Sequence, residues 1–454
     1  MQNQQEINDL ENIVQELLDE ATRLGATGAE AGLNIESGLS VTGRLGEVET
    51  IEHHRDQGLG ITVYFGKRKG SASTTDLLPA SIKETVKAAC SIAGFASEDE
   101  YAGLPEAQML ATEFPELDLY HPWSLTTESA IELVLECEQA ARSYDSLISN
   151  SEGATINSHQ GISILGNTLG FLNSVQSTRH SLSCSVLGQK DESMQRDYWY
   201  SVARCADDLE AATLIGETAA KRTIQRLGGE SLSTRQCPVI YAAEIAPGLI
   251  RHLISAISGG SLYRKASFLL EAKGTQIFPG FMHIHEQPLL PRAMGSSAYD
   301  SEGVATQTRD IVAGGVLKDY VLSTYSARKL DLQSTGNAGG VHNLTVDVGD
   351  DDFDGLLRQM GTGLLVTEVM GQGVNIITGD YSRGAAGFWV ENGEISFPVE
   401  EITIAGNLSD MFRQIVAVGN DVDTRGNIRT GSIMIEQMTD RKSTRLNSSH
   451  TSIS

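Results

Sequence analysis

The chain has 454 residues, 40% of them hydrophobic and 20% charged, which is enough to bury a large core spread over two or three domains. With 34 basic residues against 59 acidic the net charge is −25, a surface that repels phosphate backbones and argues against nucleic-acid binding through a basic face. No run reaches the ~18 apolar residues of a membrane span, so no membrane partner is expected.

Residues 1–20 lack a basic n-region and an apolar h-region, so no secretory signal is expected. Residues 7–24 place Leu10, Ile13, Val14, Leu17, Leu18 and Ala21 on one face of a helix that Gly25 ends. Alternating segments at 29–35, 39–45, 47–55 and 59–65 predict strands. A polar turn at 66–70 leads into another at 71–74, and 78–94 reads as a helix. The same order then recurs: a helix at 126–144, strands at 147–157, 161–165, 170–187 and 194–205, and a helix at 207–226. Residues 1–230 therefore predict an α/β domain of two helix–sheet–helix halves, an internal duplication of pattern rather than of residues. The proline-containing stretch 99–123 reads as the linker between the halves. Five widely spaced cysteines, an odd number without a C-x-x-C pair, suit reduced, buried thiols in the cytoplasm.

From Gln236 onward the texture becomes Gly-rich and β-branched. Strands are expected at 237–243, 304–312, 315–323, 344–348, 363–370, 387–390, 394–398 and 401–404. These predict a β-rich C-terminal domain over 235–440, making the whole chain α+β. Residues 441–454, Ser/Thr-rich and basic in an acidic protein, read as a disordered or foreign tail.

One helix in this half carries a sharper pattern. Tyr241-Ala-Ala-Glu-Ile-Ala-Pro-Gly-Leu-Ile-Arg-His-Leu-Ile-Ser-Ala-Ile257 reads as a strand running into a helix, with Pro247 at its first turn. Leu249, Ile250, Leu253, Ile254 and Ile257 form the apolar face, and Gly259 and Gly260 are expected to stop the helix. Arg251, His252 and Ser255 lie on the other face. Two motifs accompany it: Tyr299-Asp-Ser-Glu-Gly303 with Ser334-Thr-Gly-Asn337 downstream, and the glycine-punctuated run 371–393.

On these residues the chain resembles the TldD/PmbA proteins, a two-branch family of bacterial and archaeal metallopeptidase subunits, and the run 371–393 resembles the PmbA (TldE) branch. The resemblance covers nearly the whole chain. In the TldD branch the core helix carries His-Glu-x-x-x-His, two zinc ligands and a catalytic glutamate, and a cysteine near the C-terminus is the third ligand. Aligned on Pro247-Gly-Leu249, those positions are Arg251, His252 and Ala256, and all five cysteines precede residue 240. What the resemblance implies is a PmbA/TldE-type subunit of a heteromeric TldD–TldE zinc metalloprotease. That enzyme would cleave unfolded or short peptides in peptide-precursor maturation and antitoxin degradation. Zinc is expected in a TldD-type partner, with no catalytic residue, metal or other cofactor in this chain, and a homodimer when the chain is alone. Arg251, His252, Asn375, Tyr381 and Arg383 are expected to contact the peptide. Glycines 371, 373, 379, 384 and 387 would let a substrate strand lie against the sheet. A different class stays open: a non-catalytic binding or regulatory protein of the DNA gyrase modulator type.

Other motifs have plainer readings. Asp300 and Glu302 before Gly303 are expected to be structural, a turn with solvated carboxylates. Asp350-x-Asp352-x-Asp354-Gly355 begins like a calcium loop but places Gly361 where a bidentate glutamate is needed, so an acidic helix N-terminus near 353–361 explains it better. His283-x-His285 beside Glu286 puts two histidines on one strand face, an arrangement able to bind zinc. Adjacent His53 and His54 should point to opposite faces of a strand.

Overall fold

The computed structural model describes residues 4–442, without the side chains of the last two; most of the expected tail, 443–454, lies outside the described residues. Helix α1 (Gln4–Arg23) buries Ile7, Val14, Leu17, Leu18 and Ala21, the stripe its periodicity requires. It is followed by β1 (Gly28–Arg44), β2 (Glu47–Phe65), β3 (Arg68–Thr74) and α2 (Pro79–Phe95), and then by the same succession again. The second set is α3 (Thr127–Ser143), β4 (Ile148–Asn167), β5 (Leu172–Lys190), β6 (Ser193–Ala203) and α4 (Ala212–Gln225).

Pairing of β1 with β4 joins the two halves into one antiparallel sheet of order β3-β2-β1-β4-β5-β6. Segments expected as separate strands are continuous here: 29–35 with 39–45, 47–55 with 59–65, and 147–157 with 161–165. The four helices cover only one face, through two apolar layers, so polar residues and glycines on the other face break the alternation without breaking the ladder. Glu138 of α3, wholly buried, accepts the N–H groups of Leu45 and Gly46 at 2.7 and 2.9 Å and so holds the β1–β2 turn, where both residues have positive φ.

The 99–123 stretch connects the halves in the chain, yet it is a strap bonded to the C-terminal half. Ala111 N–H donates to Gly303 O, Ala305 N–H to Met109 O and Arg292 N–H to Leu117 O, each at 2.9 Å. Arg328 donates to the carbonyls of Tyr101, Gly103 and Leu104 at 2.6–3.2 Å.

The C-terminal half begins with β7 (Arg235–Tyr241), α5 (Ala246–Ala256) and α6 (Gly259–Tyr263), then β8 (Ile284–Glu286), β9 (Arg309–Ala313), β10 (Val316–Leu317), α7 (Thr324–Lys329), β11 (Leu344–Val346) and α8 (Phe353–Met360). It ends with β12 (Gly363–Met370), β13 (Asp380–Glu391), β14 (Glu394–Asn407), α9 (Leu408–Arg413), β15 (Ile415–Val418), β16 (Ile428–Arg429) and β17 (Ile433–Lys442). Strands β8 to β11 and β16 make a five-stranded sheet of order β10-β9-β8-β11-β16. The others form the order β14-β13-β12-β7-β17-β15, which a further β14–β17 pairing closes into a barrel.

Three expectations change here. The strands expected at 304–312 and 315–323 shrink to β9 and β10, whereas 394–398 and 401–404 are one strand, bulged where Glu401 takes φ 55°. Gly259 and Gly260 do not stop α5, which already ends at Ala256. Ser258 caps α6 by accepting Ser261 N–H, and Gly259 is its first residue because a Cβ there would lie 2.2 Å from Ser326 Oγ. The C-terminal boundary also moves, since β17 runs on to Lys442 to pair with β14, and Asp440 is 1% exposed. The aspartate run behaves as expected at a helix start: Asp352 caps α8 by accepting Gly355 N–H at 2.8 Å.

Candidate functional site

Helix α5 starts with Pro247 in its first turn and packs Leu249, Ile250, Leu253 and Ala256 into the main C-terminal core, together with Ile257 just beyond its end. Alternation along β7, β12 and β13 sends one set of side chains to α5 and the other to α8. That packing turns the polar face of α5 toward β13. His252 meets Tyr381 edge to face, with ring centroids 5.9 Å apart. Burial first, then the charges of Arg383 and Arg251, hold the His252 pKa down to about 4. The imidazole is therefore neutral at pH 7.

Tyr381 is 3% exposed, and burial raises its hydroxyl pKa. Among the described residues Arg383 makes only long contacts, 3.5 Å, to the carbonyls of Val369 and Met370, which leaves its charge available. Arg251 is exposed, and its charge also reaches His252. The structure thus gathers Arg251, His252, Tyr381 and Arg383. Asn375 serves the turn before β13 instead: its side-chain oxygen accepts Ile377 N–H and its backbone N–H donates to Asp380 O.

A hydrolytic zinc does not fit this helix. Arg251 stays protonated and has no lone pair to offer. Ala256, one turn from His252, is wholly buried and has no donor atom. Two guanidinium charges would repel a divalent cation. Cys237, the cysteine nearest in sequence, is buried in β7 with its pKa pushed up to about 11, far from the thiolate a metal needs.

Asp300, expected to be a solvated turn residue, is 2% exposed. Its carboxylate accepts the N–H groups of Glu302, Val304 and Ala338 at 2.8–3.0 Å, and Glu302 accepts Thr324 N–H. This motif is a structural knot tying the 300–304 turn to the 338 loop and α7. His283 and His285 do share a face. His283, however, lies between Asp347 at 2.7 Å and Asp310 at 2.8 Å, and hydrogen bonds to these carboxylates raise its pKa. His53 reaches toward Thr127, while His54 lies on the opposite face against His159. Sequence reading missed that meeting, because the residues are 105 apart and only the β2–β1–β4 register aligns them. A cleft of about 1240 Å³ between the strap and the loops at 304–309 and 332–336 is lined by none of the α5 or β13 residues.

A sheet built from two helix–sheet–helix halves, joined to a barrel holding one core helix, defines the architecture of a metallopeptidase-family member. Residues 29–93, 120–227 and 234–440 match, in turn, domain 1, the central domain and the C-terminal domain of the PmbA/TldA metallopeptidases. The chain belongs to the PmbA/TldD metallopeptidase family, in its PmbA branch. It is 50% identical to the metalloprotease PmbA of Escherichia coli O157:H7 over 429 residues, 94% of this chain and 95% of that one. A metalloprotease TldD homologue of Haemophilus influenzae is 23% identical over 391 residues, 81% of this chain and 80% of that one. Among solved structures, a protein of Bacteroides thetaiotaomicron described as a candidate modulator of DNA gyrase superposes with a TM-score of 0.92 at 28% identity, over 97% of this chain and all of that one. TldE from Thermococcus kodakarensis shares the fold, with a TM-score of 0.82 at 20% identity over 94% of this chain and all of that one. No helix among the described residues is long and apolar enough to cross a membrane, and all five cysteines are free.

Proposed function

We propose that this chain is the PmbA/TldE-type subunit of a cytoplasmic, heteromeric metalloprotease whose TldD-type partner supplies zinc, the activated water and the catalytic glutamate. The observation that carries this reading is the core helix itself. It is packed as a functional scaffold, yet the family's three chemical positions hold Arg251, His252 and Ala256. Arg251, His252, Tyr381 and Arg383 then form a peptide-facing patch, with Asn375 shaping the neighbouring turn. Two guanidinium groups flanking a neutral imidazole suit the carboxylate and main-chain carbonyls of an unfolded or short peptide, whatever its side chains. Free thiols support a reducing compartment.

The test mixes the purified chain with its TldD-type partner and follows cleavage of a short unstructured peptide. The chain alone should not cleave, and the mixture should cleave in a chelator-sensitive way. The triple variant Arg251→His, His252→Glu, Ala256→His should stay inactive alone, because a third ligand is missing. Chelator-sensitive cleavage by the isolated chain would overturn the reading. An unchanged partner activity on mixing would favour a non-catalytic binding protein instead.

A further inference from the structure

The helix-free face of the N-terminal sheet holds a cluster that the proposed function does not use. Glu36 and Gly38 lie on β1, His54 on β2 and His159 on β4, and the register sets His54, Gly38 and His159 in one row across three strands. A side chain at Gly38 would keep the histidines apart, since a Cβ there would come within 2.4 Å of His54 Cε1 and 2.8 Å of its Nε2. Without one, the His54 ring crosses β1 and brings its Nε2 to 3.0 Å from His159 Nδ1. Glu36, one pleat along β1 on the same face, places Oε1 3.0 Å from that same nitrogen. A single ring nitrogen has one proton at most to share between an imidazole and a carboxylate. A cation among the three atoms would instead take a lone pair from each.

We propose that Glu36, His54 and His159 bind a divalent transition-metal ion of the zinc class, at a site separate from the α5 helix and its missing ligands. Two imidazoles and one carboxylate, with a remaining position open to water, are a donor set that zinc and its neighbours accept. Bonds of about 2.0–2.2 Å in tetrahedral array put donor atoms ~3.3 Å apart, so the 3.0 Å pairs need to open by only about 0.3 Å. All three residues sit on paired strands, which keeps their backbones fixed. Asp56, opposite Glu36 in the register, and Glu52, two residues from His54, add negative charge to the same face; Arg179, opposite His159, opposes it. The side chains of His159 and Glu36 are 31% and 56% exposed, so an ion can enter from solvent. In the other histidine–carboxylate group, His283, His285 and Asp347, no ring nitrogen is shared between an imidazole and a carboxylate. His283 has both ring nitrogens closed by Asp347 and Asp310, as a protonated imidazole would, and has no need of an ion. The proposal departs from the expectation of no metal in this chain, at a site away from the family's helix.

The full chain, stripped with a chelator and dialysed, is titrated with zinc chloride by calorimetry, and zinc per chain is counted after buffer exchange. One zinc per chain is expected, weakened about tenfold or more by His54→Ala, by His159→Ala and by Glu36→Gln, and unchanged by His283→Ala. Melting curves of the apo variants should match wild type, because these side chains are not core. Cobalt in place of zinc should give a visible d–d spectrum that His54→Ala abolishes. No zinc uptake by the wild type, equal uptake by His54→Ala and His159→Ala, or loss on His283→Ala alone would each overturn the proposal. Peptide cleavage plays no part in this readout, so its failure is distinct from failure of the heteromer reading.

Discussion

His252 shows how much a single position depends on its neighbours. An ordinary histidine titrates near 6.5, but burial and the charges of Arg383 and Arg251 bring this one down to about 4. Replacing Arg383 by Ala should move the His252 pKa upward, followed by NMR titration of the imidazole; an unmoved value would show that burial acts alone. Asp300 illustrates the opposite shift. Burial pushes its carboxyl up to about 7 against the pull of three backbone donors. The folded chain therefore holds a proton that the unfolded chain releases above about pH 4. This group's stabilising contribution is complete below its unfolded pKa and is lost as pH rises through about 7. Urea unfolding should accordingly show Asp300→Asn costing more at pH 5 than at pH 8. An equal cost at both would mean that Asp300 is ionised throughout.

At the scale of elements, α5 matters because its buried side is continuous with the barrel core. Leu253 is wholly buried, in the core cluster that also holds residues of β7, β12, β13 and β17. Leu253→Ala should cost roughly 2–5 kcal/mol of unfolding free energy, measured by chemical denaturation; a cost below about 0.5 kcal/mol would place the packed face elsewhere. The apolar periodicity of α1, α3 and α5 was legible because a helix must bury one stripe. Its end at Ala256 was not, because Gly259 answers to Ser326, a residue brought near only by the packing of α7. Strand breaks were misjudged for a related reason. Gly38 looks like an interruption between 29–35 and 39–45, but it stays in the ladder, and its missing side chain makes room for a ring from the next strand.

Over the whole molecule, the sheet and the barrel are held together by the 99–123 strap and by cross-links such as Arg226, which pairs with both Asp197 of β6 and Glu368 of β12. The C-terminus tests where the folded body ends. Truncation after Lys442 should leave the melting temperature within about 1 °C, whereas truncation before Asp440 should lower it by several degrees, about 3 kcal/mol or more in a chain of this size. The second cut removes the pairing of residues 440–442 with 402–404 that closes the barrel. If both cuts behave alike, β17 ends earlier than Lys442. By itself the sequence determined the class of each half, the repeated helix–sheet–helix order, the apolar stripe of the core helix and the loss of the family's zinc ligands. The first three follow from local periodicity and residue chemistry; the last is what the resemblance to the TldD branch implies. Only the tertiary structure decided that the two halves share one sheet, that a supposed linker is a strap, that the charge of Arg383 reaches His252 and that His54 meets His159. Each of these depends on strand register or long-range packing, which bring together residues up to 227 apart along the chain.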